Sequence, residues 1–161
     1  MRKRIVQPFH SPQVRTDEGW LDLEQIATIE VTSEDSNFPI EHAFSSNGGP
    51  GWRASEAGEQ QIRIIFDSPV SVKRTELRFY ESEFERTQEF VLRWSPESGG
   101  SATEIVRQQW NFSPAGSTTE TEQYTVDLEH VSVLELAIRP DLNRTEAIAS
   151  LASWRVGCSF G

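Results

Sequence analysis

Short runs in which apolar and polar residues alternate recur along this chain, separated by clusters of Gly, Pro, Ser and Asn. Side chains on a strand point alternately to opposite faces, so each run offers one apolar face for burial. A helix would need apolar residues every three to four positions, and no window sustains that beyond a single turn at residues 21–26. Val, Ile and Thr number 11, 10 and 11 against 10 Ala, a β-branched bias that favours the same reading. The pattern restricts the chain to an all-β sandwich or barrel.

Eight strands are expected. Residues 26–33 form the first. Residues 60–67 direct Ile62, Ile64 and Phe66 inward, and Ser68-Pro69 ends them because proline brings no amide donor to a ladder. Residues 72–81 follow with Leu77 and Phe79 inward, then 88–95 with Phe90, Leu92 and Trp94 on one face. A turn at 96–101, marked by proline and paired glycines, leads to 103–112, where Val106, Gln108, Trp110 and Phe112 alternate. Beyond the polar loop 113–121, residues 123–128 alternate Tyr124, Val126 and Leu128. Residues 131–139 turn Leu134, Leu136 and Ile138 inward, and 151–157 close the chain with Trp154 and Val156 inward.

Eight antiparallel strands suit a two-sheet jelly-roll sandwich, and 161 residues suit one domain. Successive connections in antiparallel sheets usually alternate between the two ends. Loops 34–59, 82–87, 113–122 and 140–150 then share one end, and loops 67–71, 96–102 and 129–130 share the other. The first group is the longer and more polar, and binding sites concentrate on such loops.

Charge is unevenly distributed. The formal net charge is −10, yet residues 1–15 carry +4 and no acid, leaving −14 on residues 16–161. Residues 1–19 are therefore expected to be a basic arm ahead of a domain spanning 20–161. The arm has two readings, a frayed terminus or a segment that pairs with the acidic body of a second subunit in a homo-oligomer. The acidic body argues against nucleic acid or an anionic membrane as main partner. Nothing near the N-terminus resembles a signal peptide, no stretch approaches a membrane span, and Met1 reads as a native start, so a cytoplasmic protein is expected. The single cysteine, Cys158, excludes an internal disulfide.

Catalytic signals are weak. His10, His42 and His130 lie in separate segments without metal-ligand spacing, and neither a nucleophile elbow nor a phosphate-binding glycine loop occurs. Gly48, Gly49 and Gly51 around Pro50 read as turn chemistry. Glu81, Glu83 and Glu85 alternate as on a strand, where they serve as a charged, aggregation-resistant edge more readily than as a glycosidic acid pair. The expectation is a protein that is not an enzyme and needs no metal or cofactor.

The order of several segments resembles the galactose-binding-like jelly roll of discoidin domains and many carbohydrate-binding modules. The opening strand, Ala27-Thr28-Ile29-Glu30-Val31-Thr32-Ser33, is similar to that family's first strand. His42-Ala43-Phe44-Ser45-Ser46 followed by Gly51-Trp52-Arg53-Ala54-Ser55 resembles its "A-[FIL]-D-G … W-x-[AS]" segment. Gln61 through Pro69, Phe90 through Ser95 and Ser150 through Gly157 resemble later strands in the same order. The resemblance implies a binding module. Calcium-binding members have Asp-Gly where this chain has Ser45-Ser46, and a glutamate in the last strand where it has Ser153, so the resemblance does not extend to that calcium site.

One end of the sandwich is the expected binding site. Asn47, Trp52, Arg53, Arg86, Arg139, Asp141, Asn143 and Arg144 fall in or beside its four loops. Arginines in an acidic domain can receive a carboxylate or other small anionic ligand, and polar groups beside an aromatic ring can receive a carbohydrate. Intramolecular pairing is the competing role, with Arg86 beside Glu83 and Glu85, and Arg144 beside Asp141 and Glu146. The function expected first is non-catalytic carbohydrate recognition. Intracellular relatives of the fold serve as protein-docking modules, so a protein partner at the same end is the alternative. None of the five tryptophans reads as a clean exposed platform.

Overall fold

The computed structural model describes residues 19–45, 50–97 and 100–160. It contains eight strands: β1 (Ala27–Val31), β2 (Trp52–Ala57), β3 (Gln60–Tyr80), β4 (Arg86–Ser95), β5 (Thr103–Phe112), β6 (Thr119–Arg139), β7 (Ile148–Leu151) and β8 (Ser153–Gly157). Two single-turn helices, α1 (Leu23–Ile26) and α2 (Glu41–Phe44), complete the regular structure of these residues. None of their helices is long and apolar enough to cross a membrane. Of the expected basic arm, all but Gly19 lies outside the described residues.

Every strand pairing is antiparallel. The main sheet runs β1-β3-β6-β4-β5, with β8 added to β3, and β2-β7 form a separate ribbon. Two strands of 21 residues, β3 and β6, make the sandwich possible. Their first contact zone pairs residues 60–65 with 133–138, flanked by β1 and β4. Their second pairs 74–80 with 119–125, flanked by β8. Between the zones the ladder slips at Ile65/Val70, Val70/Val72 and Val72/Arg74, and His130 takes the left-handed backbone at φ 57°. Bulges of this kind bend and twist a strand, so one hydrogen-bonded sheet folds over onto itself. The two layers meet where Phe79 of β3 stacks on Phe90 of β4, with ring centroids 5.3 Å apart.

The sequence pattern therefore needs three corrections. Residues 60–67 and 72–81 are one strand, as are 123–128 and 131–139. Pro69 and residues 129–130 do not end their strands but lie in the slipped region. The expected closing strand 151–157 is two, β7 and β8, divided at Ala152, whose amide donates to the Arg78 carbonyl at 2.9 Å. Strand β2 falls within what reads as loop 34–59. The count of eight and the sandwich stand.

The inward positions follow the alternation. Ile62, Ile64, Phe66, Leu77, Phe79, Phe90, Leu92, Phe112, Leu134, Leu136, Ile138, Trp154 and Val156 are all buried. Trp94, Val106, Trp110, Tyr124, Val126 and Leu128 are only partly buried. Val106 and Trp110 belong to β5, an edge strand with a neighbour on one side only. Trp20 is buried between the guanidinium groups of Arg74 and Arg155, 3.8 and 4.3 Å from its ring centre, which fastens the start of the described chain to β3 and β8.

Candidate ligand-binding site

The connections expected to share one end do converge there. The Glu81 amide donates to the Thr118 carbonyl at 2.9 Å, joining the β3–β4 loop to the β5–β6 loop. The Leu142 amide donates to the Thr87 carbonyl at 2.8 Å, and the Gly58 amide to the Ala147 carbonyl at 3.0 Å, so the β6–β7 loop is held against both β4 and β2.

Between these loops lies a cavity of about 340 Å³. Arg53 of β2 and Ser150 of β7 line one wall, and residues 81 and 83–86 a second. Asp141, Arg144 and residues 146–148 of the β6–β7 loop complete it. The volume lies in the range of small-molecule pockets.

Arg86 is the buried anchor of this end, its side chain only 2% exposed. Its Nε lies 3.1 Å from Glu81 Oε1, and its Nη1 donates to the carbonyls of Pro140 and Ile148, each at 3.3 Å. Its guanidinium also sits over the Phe112 ring at 5.3 Å. Burial pushes the guanidinium below its ordinary value, while Glu81 and Asp141 oppose that shift. Its Nη2 is buried and has no hydrogen-bond partner among the described residues. A guanidinium presents five N–H donors, and the two on Nη2 are left unfilled beneath the cavity wall.

Glu81 organises the loop above it. Besides pairing with Arg86, its Oε2 accepts the amides of Glu83 at 3.0 Å and Phe84 at 3.3 Å. Residues 81–85 are a loop rather than the strand edge their alternation suggests, and Arg86 pairs with Glu81 rather than with Glu83 or Glu85. This turn leaves Phe84 61% exposed on the cavity wall. Asp141 is buried, and its Oδ1 accepts the Asn143 amide at 3.0 Å.

The candidate residues divide accordingly. Arg53, Arg86, Asp141 and Arg144 come together in the cavity. Arg53 is further held by its guanidinium over the Phe38 ring at 5.2 Å. Asn143 is exposed on the same loop but does not line the cavity. Trp52 is only 1% exposed, and its indole N–H donates to the Ser33 carbonyl at 3.0 Å, so it packs beneath the loops. Arg139, opposite Glu89 in the ladder, lines a different groove with Glu59, Gln61, Arg93 and Arg107. Asn47 lies outside the described residues. Sequence reasoning missed Phe84 and Ser150. The signal for Phe84 was present, as a lone aromatic among Glu81, Glu83, Glu85 and Arg86.

Among the described residues no three His, Cys, Asp or Glu side chains form a set that could hold a metal. No protein-family model and no curated protein matches the chain. Solved structures do match it. The family 32 carbohydrate-binding module of AlyQ, in complex with 4,5-unsaturated mannuronic acid, aligns with a TM-score of 0.61 over 83% of this chain and 96% of that one, at 18% identity. A family 32 module from Clostridium perfringens in complex with GalNAc-β-1,3-galactose aligns at 0.63 over 86% and 99%, at 16% identity. This chain shares the jelly-roll fold of these modules. In truncated AlyQ, which carries an alginate lyase domain as well, the similar region is 31% of that chain.

Proposed function

We propose that this chain is a non-catalytic carbohydrate-binding module that takes a sugar ring into the cavity between Arg53, Phe84, Arg86, Asp141 and Arg144. The observation that carries this reading is the exposed Phe84 ring on the wall of a cavity lined by both guanidinium and carboxylate groups. A sugar has an apolar C–H face and a rim of hydroxyls. Phe84 supplies a flat apolar surface for the former. Each hydroxyl both donates and accepts, whereas a guanidinium only donates and a carboxylate only accepts. A wall that mixes Arg53 and Arg144 with Asp141, Glu83 and the Ser150 hydroxyl therefore suits a polyol. The carbohydrate complexes among structures of similar fold agree with the reading.

Titration of the purified chain with neutral, amino and acidic sugars, followed by NMR shifts, tests it. Binding that Phe84→Ala and Arg53→Ala both weaken is expected. Absence of binding across the whole panel rejects it.

A further inference from the structure

The cavity's charge follows from the residues that line it. Its wall carries five carboxylates against three guanidinium groups. Glu81 and Arg86 neutralise one another at 3.1 Å. Glu83, Glu85, Asp141 and Glu146 then face Arg53 and Arg144, an excess of two negative charges. The remainder of the protein has the same sign, since the chain as a whole is −10. Counting arginines along the sequence suggested an anion site, but folding brings more acids than bases to the same place.

We infer that the site selects amino and neutral sugars and rejects uronic acids. The inference rests on the carbohydrate reading above and deepens it by naming the ligand's charge class. A protonated amine on the ring meets carboxylates with which it pairs. A ring carboxylate meets the same groups with like charge, while the guanidinium of Arg86 is buried and already neutralised by Glu81. The cavity is open to water, so the effect is moderate and screened by salt.

The test uses gluco, galacto and manno rings, each as the neutral sugar, the 2-amino sugar and the uronic acid. Titration at about pH 6 keeps the amines protonated and the carboxylates ionised. For any ring configuration that binds, the amino form should bind about tenfold or more tighter than the uronic form at low salt. That ratio should shrink to within about threefold at 1 M salt, where the screening length is about 3 Å. A Glu85→Gln, Glu146→Gln variant, which removes the excess of two charges, should lose the preference while still binding the neutral form. A uronic form that binds as tightly as its amino counterpart, or a ratio that the variant leaves unchanged, overturns the charge inference and leaves the carbohydrate reading intact. Absence of binding by every sugar in every charge state overturns both.

Discussion

Glu81 meets the buried guanidinium of Arg86 at 3.1 Å, and the other oxygen of the same carboxylate holds the amides of Glu83 and Phe84. One side chain thus neutralises the charge beneath the cavity and sets the turn that presents its aromatic wall. Replacing Glu81 with Ala leaves Arg86 buried without its ion-pair partner, and an uncompensated buried charge costs about 3 kcal/mol or more. Urea unfolding should show that loss. The Glu81→Gln, Arg86→Met double variant should recover much of it, because no unpaired charge remains.

Phe84 gives the opposite result. Its side chain is largely exposed, so Phe84→Ala should change stability by less than about 0.5 kcal/mol. The same change should weaken sugar binding by about tenfold or more, as removal of an aromatic anchor at a contact centre does. Paired unfolding and titration curves separate the two effects. Equal losses in stability and affinity would mean that Phe84 supports the loop rather than the ligand.

Glu120 of β6 is fully buried opposite Gln88, whose Nε2 donates to Glu120 Oε1 at 3.3 Å. Burial, reinforced by the neighbouring Glu122, pushes its pKa from 4.5 up to about 8. The folded state therefore binds this proton more tightly than the unfolded chain does. The resulting stabilisation is complete below pH about 4.5 and is lost as pH rises through about 8. Glu120→Gln removes this titration while keeping the shape. Its stability advantage over the wild-type chain should grow from pH 5 to pH 8, measured as the difference in urea midpoint. A constant difference would show that Glu120 titrates normally.

Gly51 holds the cavity's β2 wall in place. Its φ is +81°, and a Cβ added there would lie 2.5 Å from the Leu151 carbonyl oxygen and 2.8 Å from Ala152 Cα. Both obstacles are backbone of the β7–β8 region and cannot swing aside. Gly51→Ala should therefore cost roughly 2 kcal/mol or more, through backbone strain and overlap together. Thermal unfolding checks the loss. Sugar affinity should fall as well, because Trp52 and Arg53 follow directly.

Much of the architecture was legible in the sequence. The alternation Ile62, Ile64, Phe66 and again Phe90, Leu92 determined strands and their buried faces, since period-2 burial is a local property of extended backbone. Loop parity also brought Arg53, Arg86, Asp141 and Arg144 to one end, because antiparallel connectivity restricts where each loop emerges. Local rules did not reveal that β3 runs on through Pro69, because a bulged stretch tolerates a proline that a regular central ladder does not. They also missed β2, whose Trp-Arg-Ala-Ser alternation is short and becomes a strand through its pairing with β7. Partner choice was likewise closed to sequence. Arg86 has Glu83 and Glu85 nearer along the chain, yet Glu81 reaches it because the loop doubles back. The net sign of the cavity depends on acids and bases from three separate stretches of chain, around β2, the β3–β4 loop and the β6–β7 loop. Such a sum is a property of distance in space, and only the tertiary structure decided it.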